Sequence, residues 1–234
     1  MSLFITFEGP EGSGKSTQAR RLYERLAAAS YPVIVTREPG GTPISDLIRR
    51  IVLDLQHSEM VSTTETLLFS AARAQHVAER IQPYLALGGI VVCDRFADSM
   101  LAYQGFGSGQ DLDELRTLTR IATGGLRPDI TFYLDLPAQE GLDRKRKAAQ
   151  RPSNASPLSP RPPEAGPQEW NRLDARDLAY HERVRSGFLE LVKLEPERWQ
   201  VLDAHLSMDE LSARIWHVIE PRLSGIRPLE DHTA

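Results

Sequence analysis

Apolar positions along this chain follow two rhythms that alternate from one end to the other. Short runs in which almost every position is apolar or β-branched occur at 3–7, 33–36, 90–94, 130–134 and 199–202. Runs of that length read as buried strands. Between them, apolar residues recur every three to four positions over 15–29, 44–53, 65–87, 111–123, 141–149, 177–193 and 208–223. In the first of these, Ala19, Leu22, Tyr23, Leu26 and Ala29 share one helical face. Pro83 is expected to bend the 65–87 helix near its C-terminal end. Strand and helix in alternation predict βαβ units, and hence an α/β architecture in three layers. A five-stranded, mainly parallel sheet carries helices on both faces. Ligands of such sheets sit at the carboxyl ends of the strands. Charged residues stand there after three of the runs: Glu8, then Arg37-Glu38, then Asp94-Arg95.

The loop after the first run gives that crevice a purpose. Gly9–Ser16 reads Gly-Pro-Glu-Gly-Ser-Gly-Lys-Ser, the pattern G-x-x-x-x-G-K-[ST] set between a predicted strand and a predicted helix. Backbone N–H groups of such a loop curl around a phosphate, and the helix N-terminus adds partial positive charge. Gly9, Pro10, Glu11, Gly12, Ser13, Gly14, Lys15, Ser16 and Thr17 are therefore the expected ATP-binding residues. Lys15 is placed to reach the β- and γ-phosphates, and the Ser16 hydroxyl to ligand Mg²⁺. The fold expected is of the P-loop NTPase type.

Composition narrows the class. A chain of 234 residues with 41% hydrophobic positions fits one domain, expected over 1–223 with a polar tail at 224–234. A net charge of −4 argues against nucleic acid as a partner. The one cysteine, Cys93, lies within an apolar run and reads as core, and the histidines show no metal-ligand spacing. With no apolar stretch of 18 residues and no leader pattern, the expectation is a cytoplasmic protein without membrane contact. One segment breaks the alternation. Residues 151–167 hold six of the 16 prolines and are flanked by Arg144, Lys145, Arg146, Lys147, Arg151 and Arg172. Such a stretch cannot hold a helix or a central strand, and a mobile lid spanning about 144–174 is expected.

A P-loop alone does not separate switch, motor and kinase. Asn-Lys-x-Asp and Asp-x-x-Gly elements of GTPase switches are absent, and the third strand ends Asp94-Arg95 rather than in an acidic pair. A cation beside that carboxylate suits an anionic second substrate. A nucleoside monophosphate is largely dianionic at pH 7, because its second pKa is about 6. It needs no general base; the obstacle is repulsion between phosphates. Each unit-charge pair at 4 Å costs about 4 kcal/mol at an effective dielectric near 20. Several arginines are therefore wanted, and the basic flanks of the lid and Arg95 supply them. Two rivals stay open. One is a kinase of another small nucleotide or of a deoxynucleoside, with Glu8 or Glu38 as base. The other is a non-catalytic module gated by ATP.

Seven segments in order sharpen the reading: Phe7–Ser16, Thr36–Thr42 (Thr-Arg-Glu-Pro-Gly-Gly-Thr), Leu67–Arg73 (Leu-Leu-Phe-Ser-Ala-Ala-Arg), Asp94–Phe96, Ala102–Gly105 (Ala-Tyr-Gln-Gly), Arg127–Asp129 and Asn171–Asp174. With these the chain resembles bacterial thymidylate kinases from Phe4 to about Leu223. The resemblance implies transfer of the γ-phosphoryl of Mg-ATP to dTMP, in the supply of dTTP, by a homodimer. It implies a catalytic set of Lys15, Arg95, Asp94 and Glu11, with Arg144, Arg146 and Arg172 as candidates from the lid. Asp94 would join Ser16 in supporting the metal. Arg95 would grip the dTMP phosphate, and Glu11 would face the sugar 3′-hydroxyl. Phe69 would stack on thymine and Arg73 would donate to a base carbonyl. Tyr103 and Gln104 would border base and sugar, with Arg37 and Arg49 near the acceptor. Asp203-Ala204 would border the adenine. The Pro-rich stretch looks like an insertion, and Met100 stands where relatives often carry a polar residue near the base. For the dimer, Leu68, Ala71, Ala72, Val77, Ala78 and Ile81 offer apolar positions, which read equally well as ordinary core packing.

Overall fold

Strand β1 (Leu3–Glu8) is buried at every one of its six positions, as a strand covered on both faces must be. It occupies the middle of a five-stranded sheet whose pairs are all parallel. With β2 (Val33–Arg37), β3 (Ile90–Asp94), β4 (Ile130–Asp135) and β5 (Trp199–Asp203) the order is β2-β3-β1-β4-β5. The computed structural model describes residues 1–150 and 170–229. The Pro-rich stretch 151–167, most of the expected lid and the end of the tail lie outside the described residues.

The period of two along the strands divides the core between two faces. Leu3, Ile5 and Phe7 turn to one side. There they meet Ala19, Leu22 and Leu26 of α1 (Lys15–Ala28), together with Leu211, Ile215 and Ile219 of α9 (Met208–Ile219). Phe4, Val91 and Cys93 turn to the other, against Val77, Ile81 and Phe96. Tyr133 continues this second face into a cluster with Phe188 of α8 (Leu178–Leu194), Trp199 and Tyr103. Buried Phe4 and Phe7 contribute roughly 1.5–3 kcal/mol each by leaving water. The threonines on these strands keep their hydroxyls satisfied: Thr6 and Thr131 bond each other at 2.8 Å, and Arg198 reaches Thr131 at 2.7 Å while gripping both oxygens of Asp98.

The remaining helices are α2 (Pro43–Leu53), α3 (Ser62–His76), α4 (Gln82–Ala86), α5 (Ala97–Met100), α6 (Leu112–Thr123) and α7 (Ala138–Ala149). Two of them carry side-chain caps. Thr42 caps α2 ahead of Pro43, Asp111 accepts two backbone N–H groups of α6, and Gly124 ends α6 in a left-handed conformation. Two departures from the sequence reading stand out. The 65–87 pattern is α3 and α4 joined by a π-helical segment, Val77–Ile81. Pro83 has no N–H to continue the ladder, and the register widens one turn before it. The sequence reading also missed α5 and the π-helical segment Leu101–Gly107 that continues it. Six of those seven π-helical residues are buried, so no polar face marks a period.

Candidate active site

Register brings the strand-end charges together: Phe7 and Arg37 both pair with Asp94 across the parallel ladders. Above this edge lies a cleft of about 1080 Å³. Its floor is the loop Gly9–Ser16. Gly9 has φ +142°, and a Cβ there would sit 2.5 Å from the Leu134 carbonyl oxygen, so only glycine fits. Lys15 folds back over the loop, donating to the Pro10 carbonyl at 2.7 Å and to Ser13 Oγ at 3.3 Å. Burial, with Arg95 close by, pushes its ammonium down to about 8 against the pull of Glu11, Asp94 and Glu8. The Ser16 hydroxyl donates directly to an Asp94 carboxylate oxygen.

Arg95 follows β3 with φ +67°, a left-handed backbone that a long side chain rarely takes. That turn aims its guanidinium back across the loop. It donates to Glu11 at 2.7 Å, to the Gly9 carbonyl at 3.1 Å and to Ser99 at 3.3 Å, and lies 4.9 Å over the Tyr103 ring. Burial opposes its charge, but Glu11 above all holds it above its ordinary value. Glu11 in turn accepts from Tyr103 at 3.1 Å and from Lys145 at 3.3 Å. Burial alone would raise the Glu11 carboxyl; Arg95, Lys145 and Lys15 together hold it well below the usual range. Beneath them Glu8 accepts from the Phe96 N–H at 2.8 Å and Ser99 Oγ at 2.6 Å, and burial pushes it up to about 7.

At the far end Phe69, Arg73, Met100 and Gln104 line the same cleft. Arg73 donates to Glu38 at 2.7 Å and to the Phe96 carbonyl at 3.2 Å. Glu38 continues to His76 Nδ1 at 3.2 Å, and His76 Nε2 to Thr36 Oγ1 at 2.7 Å, a buried chain that fixes the guanidinium from behind. Burial raises the Glu38 carboxyl, but Arg73 and His76 bring it below its usual value.

Three comparisons bear on this arrangement. The family model described as thymidylate kinase matches residues 7–215. The chain belongs to the thymidylate kinase family. A thymidylate kinase of Roseiflexus castenholzii is 64% identical over 230 residues, covering 98% of each chain. That of Herpetosiphon aurantiacus is 59% identical, over 98% of this chain and 100% of the relative. Among solved structures, thymidylate kinase from Ehrlichia chaffeensis superposes with a TM-score of 0.70 at 31% identity, covering 93% of this chain and 98% of that one.

Most residues expected from the thymidylate kinase resemblance meet in the cleft: Glu11, Gly12, Gly14, Lys15, Ser16, Thr17, Arg37, Arg49, Phe69, Arg73, Asp94, Arg95, Met100, Tyr103, Gln104 and Arg144 all line it. Gly9, Pro10 and Ser13 shape the loop without lining it. Arg49 donates to the Pro39 carbonyl at 2.8 Å, and burial beside Arg37 pushes it down to about 10. Arg37 reaches Asp46 at 3.4 Å. Arg144 donates to the Ala204 carbonyl at 3.1 Å, joining α7 to the loop after β5. Met100 is buried, its sulfur 3.7 Å from Arg73 Nη1 and 3.7 Å from Thr119 Oγ1, a weak acceptor in place of a polar group.

Arg172 is the correction. It does not line the cleft. It is buried, ion-paired with Glu65, and donates at 3.1 and 3.0 Å to the Val52 carbonyl. Arg146 points away as well, lying 4.8 Å over the Trp170 ring. Beside Arg144, the cation that enters from this stretch is Lys145, 3.3 Å from Glu11 and 2.6 Å from Asp174. Helix phase carried that signal: Ala138, Gly141, Leu142 and Lys145 are the buried stripe of α7. Two glycines seat that stripe on the loop, since a Cβ on Gly12 would lie 2.2 Å from the Gly141 carbonyl oxygen. In the Asn171–Asp174 motif the working acid is thus Asp174. Asn171 Oδ1 turns the chain by accepting from the Leu173 and Asp174 N–H groups at 2.9 and 3.2 Å.

Proposed function

We propose that this chain transfers the γ-phosphoryl group of Mg-ATP to dTMP, giving dTDP and ADP. Residues 1–223 form the kinase unit and 144–174 its lid. The observation that carries the reading is Arg95, which lines one cleft together with Lys15, Phe69 and Arg73 and is held there by Glu11. An oxygen of the acceptor phosphate attacks the γ-phosphorus as the bond to the β-bridging oxygen breaks. No base is needed for a dianionic acceptor. The protein aligns the two phosphates and cancels their repulsion, worth about 4 kcal/mol per unit-charge pair at 4 Å and an effective dielectric of 20. Lys15 and the loop N–H groups hold the donor, Arg95 holds the acceptor phosphate, and Lys145 adds charge from α7. Glu11, now held by Arg95, exchanges that partner for the sugar hydroxyl. The base lies on Phe69 with Arg73 donating to it.

Ser16 and Asp94 suit Mg²⁺, since a hydroxyl and a carboxylate already in contact at the cleft edge are a hard oxygen pair of the kind this ion takes beside phosphates and water. Its charge would offset that of the β- and γ-oxygens. ADP release from Mg-ATP with dTMP, dUMP, AMP, GMP, CMP and thymidine tests the reading. Turnover is expected with dTMP, less with dUMP and none with the rest; tight ATP binding without acceptor-dependent turnover would sink it.

A homodimer is part of the proposal. Ile44, Leu47, Ile51 and Leu55 form an exposed apolar stripe along α2 and beyond its end, beside exposed Leu67 of α3. Ala72, Val77 and Ile81, open in the sequence to either interface or core packing, are core. Among the described residues no helix is long and apolar enough to cross a membrane.

A further inference from the structure

Gln104 sits in the acceptor end of the cleft at 2% exposure, and what holds it is Glu65, itself fully buried, whose Oε1 lies 2.9 Å from the Gln104 side-chain nitrogen. The other Glu65 oxygen takes Arg172 and, at 3.2 Å, Arg176. Two guanidiniums pair with the Glu65 carboxylate on one side, and a carboxylate can accept hydrogen bonds but not donate them. The Gln104 amide therefore has one orientation open to it. Its NH₂ must face Glu65, and its carbonyl Oε1 is left for the cleft.

We propose that Glu65 is a specificity-determining positioning residue: by fixing the Gln104 amide with its acceptor toward the base, it selects a pyrimidine that carries N3–H. The inference rests on the dTMP kinase reading. A thymine or uracil offers a donor at N3 and acceptors at O2 and O4, matching Gln104 Oε1 and the Arg73 donors. A cytosine offers a lone pair at N3 and an amino group at C4, so acceptor meets acceptor and donor meets donor. Buried polar groups left unpaired in this way are what allow a site to reject an analogue by factors near 10⁴. Without an anion behind it, an amide turns over at little cost and presents NH₂ to the cytosine N3. Arg172 and Arg176 tie the same carboxylate to the segment that follows the lid, so that segment and the base reader share one anchor.

The test compares kcat/KM for dTMP and dCMP in the wild-type enzyme, in E65Q, in Q104A and in the double variant. E65Q is expected to narrow the dTMP-over-dCMP ratio at least tenfold with the KM for ATP unchanged, and to have no effect on that ratio once Gln104 is alanine. An unchanged ratio in E65Q overturns the proposal, as does an equal effect in the Q104A background. Losing a buried anion between two arginines can prevent folding, so a neutron map of the wild-type complex with dTMP provides the second arm. Amide deuterons found on the Glu65 side support the lock; deuterons facing the base overturn it. Should the wild-type enzyme fail to prefer dTMP, the functional reading falls, while the neutron map still decides the amide orientation.

Discussion

Replacing Lys145 by methionine separates the structural task of this side chain from the catalytic one proposed for it. The substitution keeps the length and removes the charge. It leaves Asp174, 1% exposed, without its partner at 2.6 Å. Breaking a buried pair from one side costs about 3–5 kcal/mol. The low end applies here, because Asp174 keeps the Asn171 N–H at 2.7 Å. About 3 kcal/mol in a chain of this size lowers Tm by about 6–12 °C. Burial, with Glu11 beside it, already raises the Asp174 carboxyl above its usual value. A raised acid favours the folded state when protonated and weighs against it when charged, so the loss is largest at pH 8 and shrinks toward pH 5. Activity should fall separately, by about 100-fold or more in kcat, the scale for losing one preorganised charge at a transition state. K145M/D174N then decides between structure and chemistry: melting curves at pH 8 recover most of the lost stability, while ADP release stays low. A Tm change under 2 °C in K145M, or a double variant no more stable than K145M, would refute the reasoning.

Further predictions concern protons and assembly. With Lys15 near 8 in the empty site, ATP binding at pH 8 takes up about half a proton, seen as a buffer-dependent heat in calorimetry; no uptake at pH 8, or the same uptake in K15M, contradicts it. Glu8 near 7 against an unfolded 4.5 gives stability that is complete below about pH 4.5 and lost by about 3 kcal/mol as pH rises through 7. E8Q should flatten that slope in urea titrations between pH 5 and 8, and an unchanged slope would count against burial as its cause. L47E or I51E places a charge in the exposed α2 stripe and should yield monomers in sedimentation; dimers of unchanged strength would move the interface elsewhere.

The fold was legible because its signals are local. Each strand is a short apolar run, and several helix ends lie at a cap, a glycine or a proline, as at Thr42-Pro43, Asp111 and Gly124. The 97–107 segment was not, since a backbone buried on nearly all sides has no polar face to set a phase, and a π register follows no 3.6 period. The cleft residues that sit on strand ends or in the Gly-rich loop, such as Lys15, Asp94 and Arg95, were placed by topology alone. The lid cations were placed only in part, since Arg144 lines the cleft while Arg172 does not. Arg144, Lys145, Arg146 and Arg172 look alike in composition, and the choice among them depends on partners far away in sequence: Glu11 and Asp174 for Lys145, Glu65 for Arg172. Only helix phase singled out Lys145, and only in retrospect does Asn171–Asp174 read as a holder for that lysine.

Glu11 gives the empty cleft a property of its own. Its carboxylate is an internal counter-ion for Arg95 and Lys145, so the guanidinium that awaits a phosphate is not bare. A free phosphate ion must compete with a tethered carboxylate and brings nothing else to offset it. In the proposed reaction a nucleotide brings a base for Phe69 and Arg73 and a hydroxyl for Glu11 itself. On that proposal the same pair that looks like a lost binding opportunity works as a filter, setting small free anions at a disadvantage against an anion that arrives with a sugar and a base attached.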